Sequence, residues 1–355
     1  MQLLCKSRAS DPMNQLHWAE ADKPFQFLAW CFEFAEWLEN PNFLSHIPCA
    51  MDGSNNGLQI MSLLLRDEQI GSATNCVPQR TPADIYQDVA NEVTRRLKAN
   101  PDKHNLRLLR YGIDRALMKK VVMSVPYGAS YYTICLLFQE TLYQRHLEGE
   151  DLQFGGRLRD YSARLASETW EVINEMMPRA MELMAWVKGK IRPAITANNE
   201  VSWMTPIGLR VHQGYRQTIR RRVVTAIGSK IRKEAYFRDP LDNLSNRNNF
   251  KAIVPNYIHS LDASIMLTTT NLMKSKGIFS LAMVHDSFAT HACDAPTLAE
   301  GLRDVAIDTF QKNLLISFDK DIRQSYPDDH NKRLAFPSTG MLDITKLNKS
   351  LYFFH

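Results

Sequence analysis

An α-rich α+β fold with one small sheet is what this chain predicts, from three observations. Apolar residues recur at helical spacing over most of its length. The β-suited runs are short, and two of them, "FLSHIPCAMD" and "SLAMVHDSFAT", meet an aspartate at a strand end, Asp52 and Asp286. No internal repeat and no flexible linker interrupts the pattern.

The elements follow in order. Pro24 opens a helix whose Leu28, Phe32 and Ala35 share a face and which ends before Asn40-Pro41. Asp52 stands where a strand gives way to the helix of Leu58, Met61, Leu64 and Leu65. Thr81 as cap and Pro82 in the first turn predict a helix through Ile85, Val89, Val93 and Leu97. Residues 106–147 read as two helices interrupted at "VPYGAS", and 157–191 as one long helix kinked at Pro178. "VSWMTPIGLRVHQGYR" predicts a hairpin turning at Pro206-Ile207-Gly208, and "TIRRRVVTAIGSKIRKEAYF" a second around Gly228-Ser229. An Asn-rich loop over 243–249, a helix at "IHSLDASIMLTTTNLM", the strand pair around Asp286 and a helix from Asp294 complete the chain.

At 355 residues the chain can bury a large core and form more than one domain. An apolar fraction of 45% and a charged fraction of 23% are those of a globular protein. Glu33 and Glu36 break "FQFLAWCFEFAEWL", the most apolar stretch, so no membrane partner is expected. The opening residues lack a sustained apolar core and predict no secretory signal. Six cysteines without a C-x-x-C read as reduced thiols of a cytoplasmic protein.

Net charge is +5, yet Arg216 to Lys233 hold seven basic residues and no acid, so the rest of the chain is net negative. A local patch of this kind fits either a polyanion partner or a solvated basic surface. Asp286 follows an apolar strand, where a desolvated carboxylate needs a base, a helix N-terminus or a metal cation beside it. Asp52 and Asp286, brought together from distant segments, could share divalent cations for phosphoryl transfer, or each could serve as a cap or ion-pair partner. In "DRALMKKVVMSVPYGAS", Arg115 and Lys119 lie one turn apart and face the same way. They could hold a triphosphate, or form an ordinary solvated face. Pro126-Tyr127-Gly128 must end or bend that helix.

"DGSNNGLQ" at 52–59, "RALMKKVVMSVPYG" at 115–128 and "HSLDAS…VHDS" at 259–287 resemble motifs A, B and C of the single-subunit RNA polymerases of bacteriophage and mitochondrial type. The order matches, as do the flanks "WAEADKPFQFLAWCFEF", "PADIYQDVANEV" and "WMTPIGLRVHQGYR", and "LYFFH" resembles the family's aromatic tail. The resemblance implies a right-hand polymerase palm and fingers with a small antiparallel palm sheet. Residues 1–66 would be the first part of the palm, 67–257 the fingers with a basic specificity-type hairpin near 216–237, and 258–355 the second part of the palm and the tail.

It further implies two Mg²⁺ held by Asp52 and Asp286 with the Gly53 carbonyl. Arg115 and Lys119 would grip the triphosphate, Lys119 also protonating the departing pyrophosphate. Tyr127 would stand at the insertion site, His259 and Tyr86 near the ribose, and Gly128 against the template. Arg220, Arg221, Arg222, Lys230 and Arg232 would meet nucleic acid.

Related DNA polymerases carry a bulky Glu where this chain has Gly57, which would leave room for a ribose 2′-hydroxyl or simply permit close helix packing, and "HDE" where it has "HDS". RNA synthesis on a DNA template from ribonucleoside triphosphates is therefore expected. The alternatives are a DNA polymerase or primase-like enzyme and a non-catalytic nucleic-acid-binding remnant. Ile60, Leu261 and Pro126 depart from the family pattern. The chain has no room for the family's N-terminal domain and thumb. A second polypeptide would supply them, as in split phage polymerases acting in an infected host, unless this is a fragment. Part of "FQFLAWCFEFAEWL" either meets such a partner or is buried internally.

Overall fold

The computed structural model describes residues 14, 16–152, 154, 157–227, 231–326 and 334–355, without side chains at 224–227 and 231–235. The fold is helix-rich α+β with small antiparallel sheets, as the sequence predicts. Among the described residues no helix is long and apolar enough to cross a membrane.

Helix α1 (Pro24–Glu39) starts on its proline and ends at Asn40. It packs chiefly on the short 3₁₀ turn Leu16–Glu20, and Cys31 is its only buried residue. The face of Leu28, Phe32 and Ala35 is thus not a core face.

Strand β1 (Cys49–Asp52) leads through Gly53 to Asn55, whose left-handed backbone (φ 90°) and side chain cap α2 (Asn56–Leu65). α2 is buried almost throughout, and α3 (Glu68–Ala73) follows behind an Asp67 cap. Helix α4 (Ile85–Ala99) begins later than Thr81 and Pro82 suggest. Asp84 is its cap, accepting from the N–H groups of Tyr86 and Gln87, and Pro82–Asp84 remain outside the helix.

The region read as two helices holds three: α5 (Lys103–Tyr111), α6 (Arg115–Ser124) and α7 (Tyr131–Leu147). Gly112, at φ 94°, stops α5, and Asp114 caps α6. The expected break lies between α6 and α7, where Val125–Tyr127 form a 3₁₀ turn ended by Gly128 at φ 81°. Pro178 does not kink one helix but starts a second. α8 (Leu158–Met176) ends at Met177, and α9 (Pro178–Thr196) takes the proline at its first position, where no N–H is needed.

Strands β2 (Val201–Met204) and β3 (Arg210–Gln213) form the first predicted hairpin. The second, β4 (Arg216–Ile227) with β5 (Ile231–Leu244), is longer and packs mainly on itself. The expected Asn-rich loop shrinks to Ser245, which caps α10 (Asn246–Ser275), so Asn246 to Asn249 are that helix's first turn. Strands β6 (Leu281–Val284) and β7 (Ser287–Thr290) then pair across the two-residue turn His285-Asp286. Helices α11 (Ala295–Phe310) and α12 (Leu314–Ser325) close the core.

The main sheet has the order β1-β7-β6. One core runs from α2 through α4, α6, α8 and α9 to α10–α12, with Leu58, Val93, Val121, Leu165, Ile191 and Ile253 all buried. The tail covers the free edge of β1. Asp52 N donates to His355 O and His355 N to Asp52 O, both at 3.1 Å. The five cysteines among the described residues are free thiols.

Candidate active site

Strand register fixes the two acids beside each other. β1 and β7 are antiparallel with Asp52 opposite Ser287, and Gly53 N donates to Asp286 O at 3.3 Å. Asp286 occupies the tight turn because His285 before it adopts a left-handed backbone at φ 54°. Both carboxylates face a cleft of ≈ 520 Å³, whose other walls include Tyr86, Arg115, Lys119 and His355. Burial raises the Asp286 carboxyl above the ordinary carboxylate range, and the like charge of Asp52 adds to that.

Arg115 and Lys119 reach the cleft from one face of α6. The Arg115 guanidinium forms an ion pair with Asp84 and lies 5.2 Å from the centre of the Tyr86 ring. Burial pushes the Tyr86 hydroxyl up to about 12, with Arg115 partly opposing it. Tyr86 is thus held by the helix start that Asp84 caps. The Tyr127 ring lies tilted against His259 at 4.8 Å between ring centres, and His259 lies 6.3 Å from His285. Burial, then the charge of Asp286, pushes Tyr127 up to about 12, so its hydroxyl stays protonated at neutral pH. Burial and the neighbouring His285 lower His259.

Gly57 is buried against the 3₁₀ turn instead of lining the cleft. A carbon added there would stand 2.7 Å from the Pro126 ring and 3.3 Å from the Tyr127 ring. Gly128 follows at the end of that turn. The basic hairpin lies apart from the acids: Arg220 stacks on Tyr236 at 3.8 Å, Arg221 pairs with Asp239, and Arg222 lies opposite Tyr236 in the register. Arg232 is on β5 opposite Ala226, and Lys230 lies outside the described residues.

Sequence reasoning missed four groups here. Asn55 shapes the turn after Asp52, Asp84 orders Arg115, and His355 joins the cleft from the tail. Asp262 is buried and accepts from Asn56 Nδ2 at 2.7 Å. The N-cap pattern around Asp84 was a usable signal; the tail's return to β1 left none.

The donor set fits a hard divalent cation. Two carboxylates of like charge share one cleft, and among the described residues neither is ion-paired. The Gly53 carbonyl accepts from Asn55 N at 2.9 Å and keeps a second lone pair. Among the described residues no group of three or more His, Cys, Asp or Glu side chains converges. Water and substrate phosphates would have to complete such a site, which is the habit of Mg²⁺.

A family model described as DNA-dependent RNA polymerase matches residues 2–335. DNA-directed RNA polymerase 1, mitochondrial, of Arabidopsis thaliana is 33% identical over 350 residues, covering 95% of this chain and 34% of the relative. DNA-directed RNA polymerase 2, chloroplastic/mitochondrial, of the same plant is 34% identical over 350 residues, covering 95% and 33%. DNA-directed RNA polymerase 3, chloroplastic, of Nicotiana sylvestris is 31% identical over 363 residues, covering 98% and 36%. The chain spans about a third of the length of these relatives.

Proposed function

Since this chain belongs to the DNA-dependent RNA polymerase family, we propose that it is the palm-and-fingers catalytic part of a template-directed RNA polymerase. The carrying observation is the convergence of Asp52 and Asp286, on one sheet, with Arg115 and Lys119, on one helix face, around a single cleft. Residues 1–66 and 258–355 form the palm and 67–257 the fingers in this reading.

Asp52, Asp286 and the Gly53 carbonyl would hold two Mg²⁺. When bound, such ions stabilise negative charge on the attacking and departing oxygens of phosphoryl transfer. Arg115 and Lys119 bind and orient the triphosphate, which is most of what this chemistry asks of protein side chains. Lys119 Nζ gives its proton to the departing pyrophosphate. Tyr127 and His259, in ring contact, face the ribose and recognise its 2′-hydroxyl, with Tyr86 flanking it; a site built to bond a hydroxyl rejects the sugar lacking it. Gly128 leaves space for the template, and the Arg220–Arg222 hairpin meets DNA.

In this reading an N-terminal domain and a thumb would act with this part, from the same chain or a second polypeptide. A second polypeptide corresponds to a split phage enzyme in the cytoplasm of its host.

Extension of an RNA primer on a DNA template with Mg²⁺ tests the reading. Ribonucleotides are expected to be added and deoxyribonucleotides not, and Asp286→Ala is expected to abolish addition. Equal use of both sugars would instead favour a DNA polymerase or primase-like enzyme. Nucleic-acid binding without extension, indifferent to Asp286→Ala, would leave a non-catalytic remnant.

A further inference from the structure

Helices α9 and α10 pack together and run antiparallel. Arg192 of α9 lies 4.9 Å from the Phe250 ring centre of α10. Four residues back along α9 and four forward along α10, Lys188 and Val254 both face Gly128. Lys188 Nζ and Val254 Cβ each stand 3.8 Å from where a side-chain carbon on Gly128 would be.

Arg247, Lys251 and Val254 succeed one another at four- and three-residue spacing, so they share one stripe of α10. At 1.5 Å per residue, Lys251 stands about 4.5 Å and Arg247 about 10 Å outward from Val254 along the axis. Two rows of cations, Lys188–Arg192 and Lys251–Arg247, therefore flank a ridge that begins at Gly128.

Among the described residues the ridge lacks internal neutralisation. Residues 183–199 and 246–261 contain no Asp or Glu. Glu182 on α9 and Glu200 beyond its end, the nearest acids in sequence, are engaged with Ser338 and Arg216. Among the described residues none of the four cations is ion-paired. Arg192, Arg247 and Lys251 are exposed, whereas Lys188 is half-buried, and burial alone draws its ammonium below the ordinary range. A desolvated ammonium without a carboxylate is costly unless an anion arrives to meet it.

We propose that the α9–α10 ridge is a second nucleic-acid track, on which Lys188, Arg192, Arg247 and Lys251 carry the sugar-phosphate backbone of one single strand to or from Gly128. A single strand is chosen over a duplex because Lys188 is half-buried at the Gly128 end of the ridge, while Arg192, Arg247 and Lys251 are exposed. The track is separate from the Arg220–Arg222 hairpin. It rests on the reading that this chain handles nucleic acid.

The test is fluorescence anisotropy of a short labelled single-stranded DNA, titrated at several salt concentrations. The unaltered chain is compared with Arg247→Gln/Lys251→Gln, both exposed, with Lys188→Gln, and with Arg220→Gln/Arg221→Gln on the hairpin. Each phosphate-contacting cation contributes about 0.7 to the slope of log affinity against log salt for single strands. The α10 pair is expected to lower the slope by about 1.4 and Lys188→Gln by about 0.7. Unlabelled duplex is expected to compete poorly.

A slope unchanged in both ridge variants, or no binding by the unaltered chain, overturns the track. Primer extension is measured on the same preparation. Extension with an unchanged slope removes the track and leaves the polymerase reading; a lowered slope without extension does the reverse.

Discussion

Gly57 shows how one residue can carry a constraint that its motif does not reveal. The sequence leaves it either as room for a 2′-hydroxyl or as a glycine for close helix packing, and it is buried, with an added carbon meeting Pro126 at 2.7 and 2.8 Å. Its influence on the sugar must pass through Pro126 and Tyr127. Gly57→Ala is therefore expected to cost about 1–3 kcal/mol through overpacking, measured by denaturant unfolding. Pro126→Ala in the same chain should return most of that loss. Wild-type stability for Gly57→Ala would show that the contact relaxes freely. By the same physics, Gly57→Glu reports displaced packing before it reports sugar choice. Asp52 and Asp286 were legible because a carboxylate at the tip of an apolar strand is a chemical anomaly. Asp262 and His355 were not, since their places depend on segments more than 200 residues away, Asn56 and Asp52.

At the scale of elements, periodicity found the helices and hairpins, and the errors fall at their ends. The Asn-rich stretch before α10 looked like a loop because Asn favours turns, yet Ser245 caps directly onto it. Residues 81–84 offered two start signals, Thr81-Pro82 and Asp84, and local propensity does not choose between them. Asp84 prevails, with one carboxylate oxygen serving the N–H groups of Tyr86 and Gln87 and the other serving Arg115. The cap and the ion pair are separable. The pair is substantially exposed, which limits it to about 0–1 kcal/mol, whereas an N-cap contributes about 1 kcal/mol. Asp84→Ala should lower unfolding stability by about 1 kcal/mol, while Asp84→Asn, which can still cap, should stay near wild type. Equal losses in both variants would assign the stabilisation to the ion pair.

Among the described residues, helix α1 packs chiefly on the short 3₁₀ turn Leu16–Glu20 although it is rich in aromatic side chains. Phe27, Trp30, Phe34 and Trp37 of α1 form a continuous ladder of stacked rings, with centres 6.0, 4.8 and 5.6 Å apart. Phe25, Trp30, Phe32 and Trp37 are nevertheless exposed, Phe25 to 78%. Contiguous apolar surface of this kind marks an interaction site more often than a free face. The chain spans about a third of the length of its relatives, and in the proposed reading the region they carry outside that span would cover this face. Joined to that region, or mixed with it as a separate polypeptide, this part is expected to extend primers further and to tolerate more salt, since added nucleic-acid contacts would hold the hybrid. Trp30→Glu with Trp37→Glu places two charges on that ladder, both at exposed positions and so without touching the core. The two parts should then elute separately in gel filtration where the unaltered pair co-elutes. Co-elution of the double variant would place the contact elsewhere and leave the aromatic ladder a feature of this helix alone.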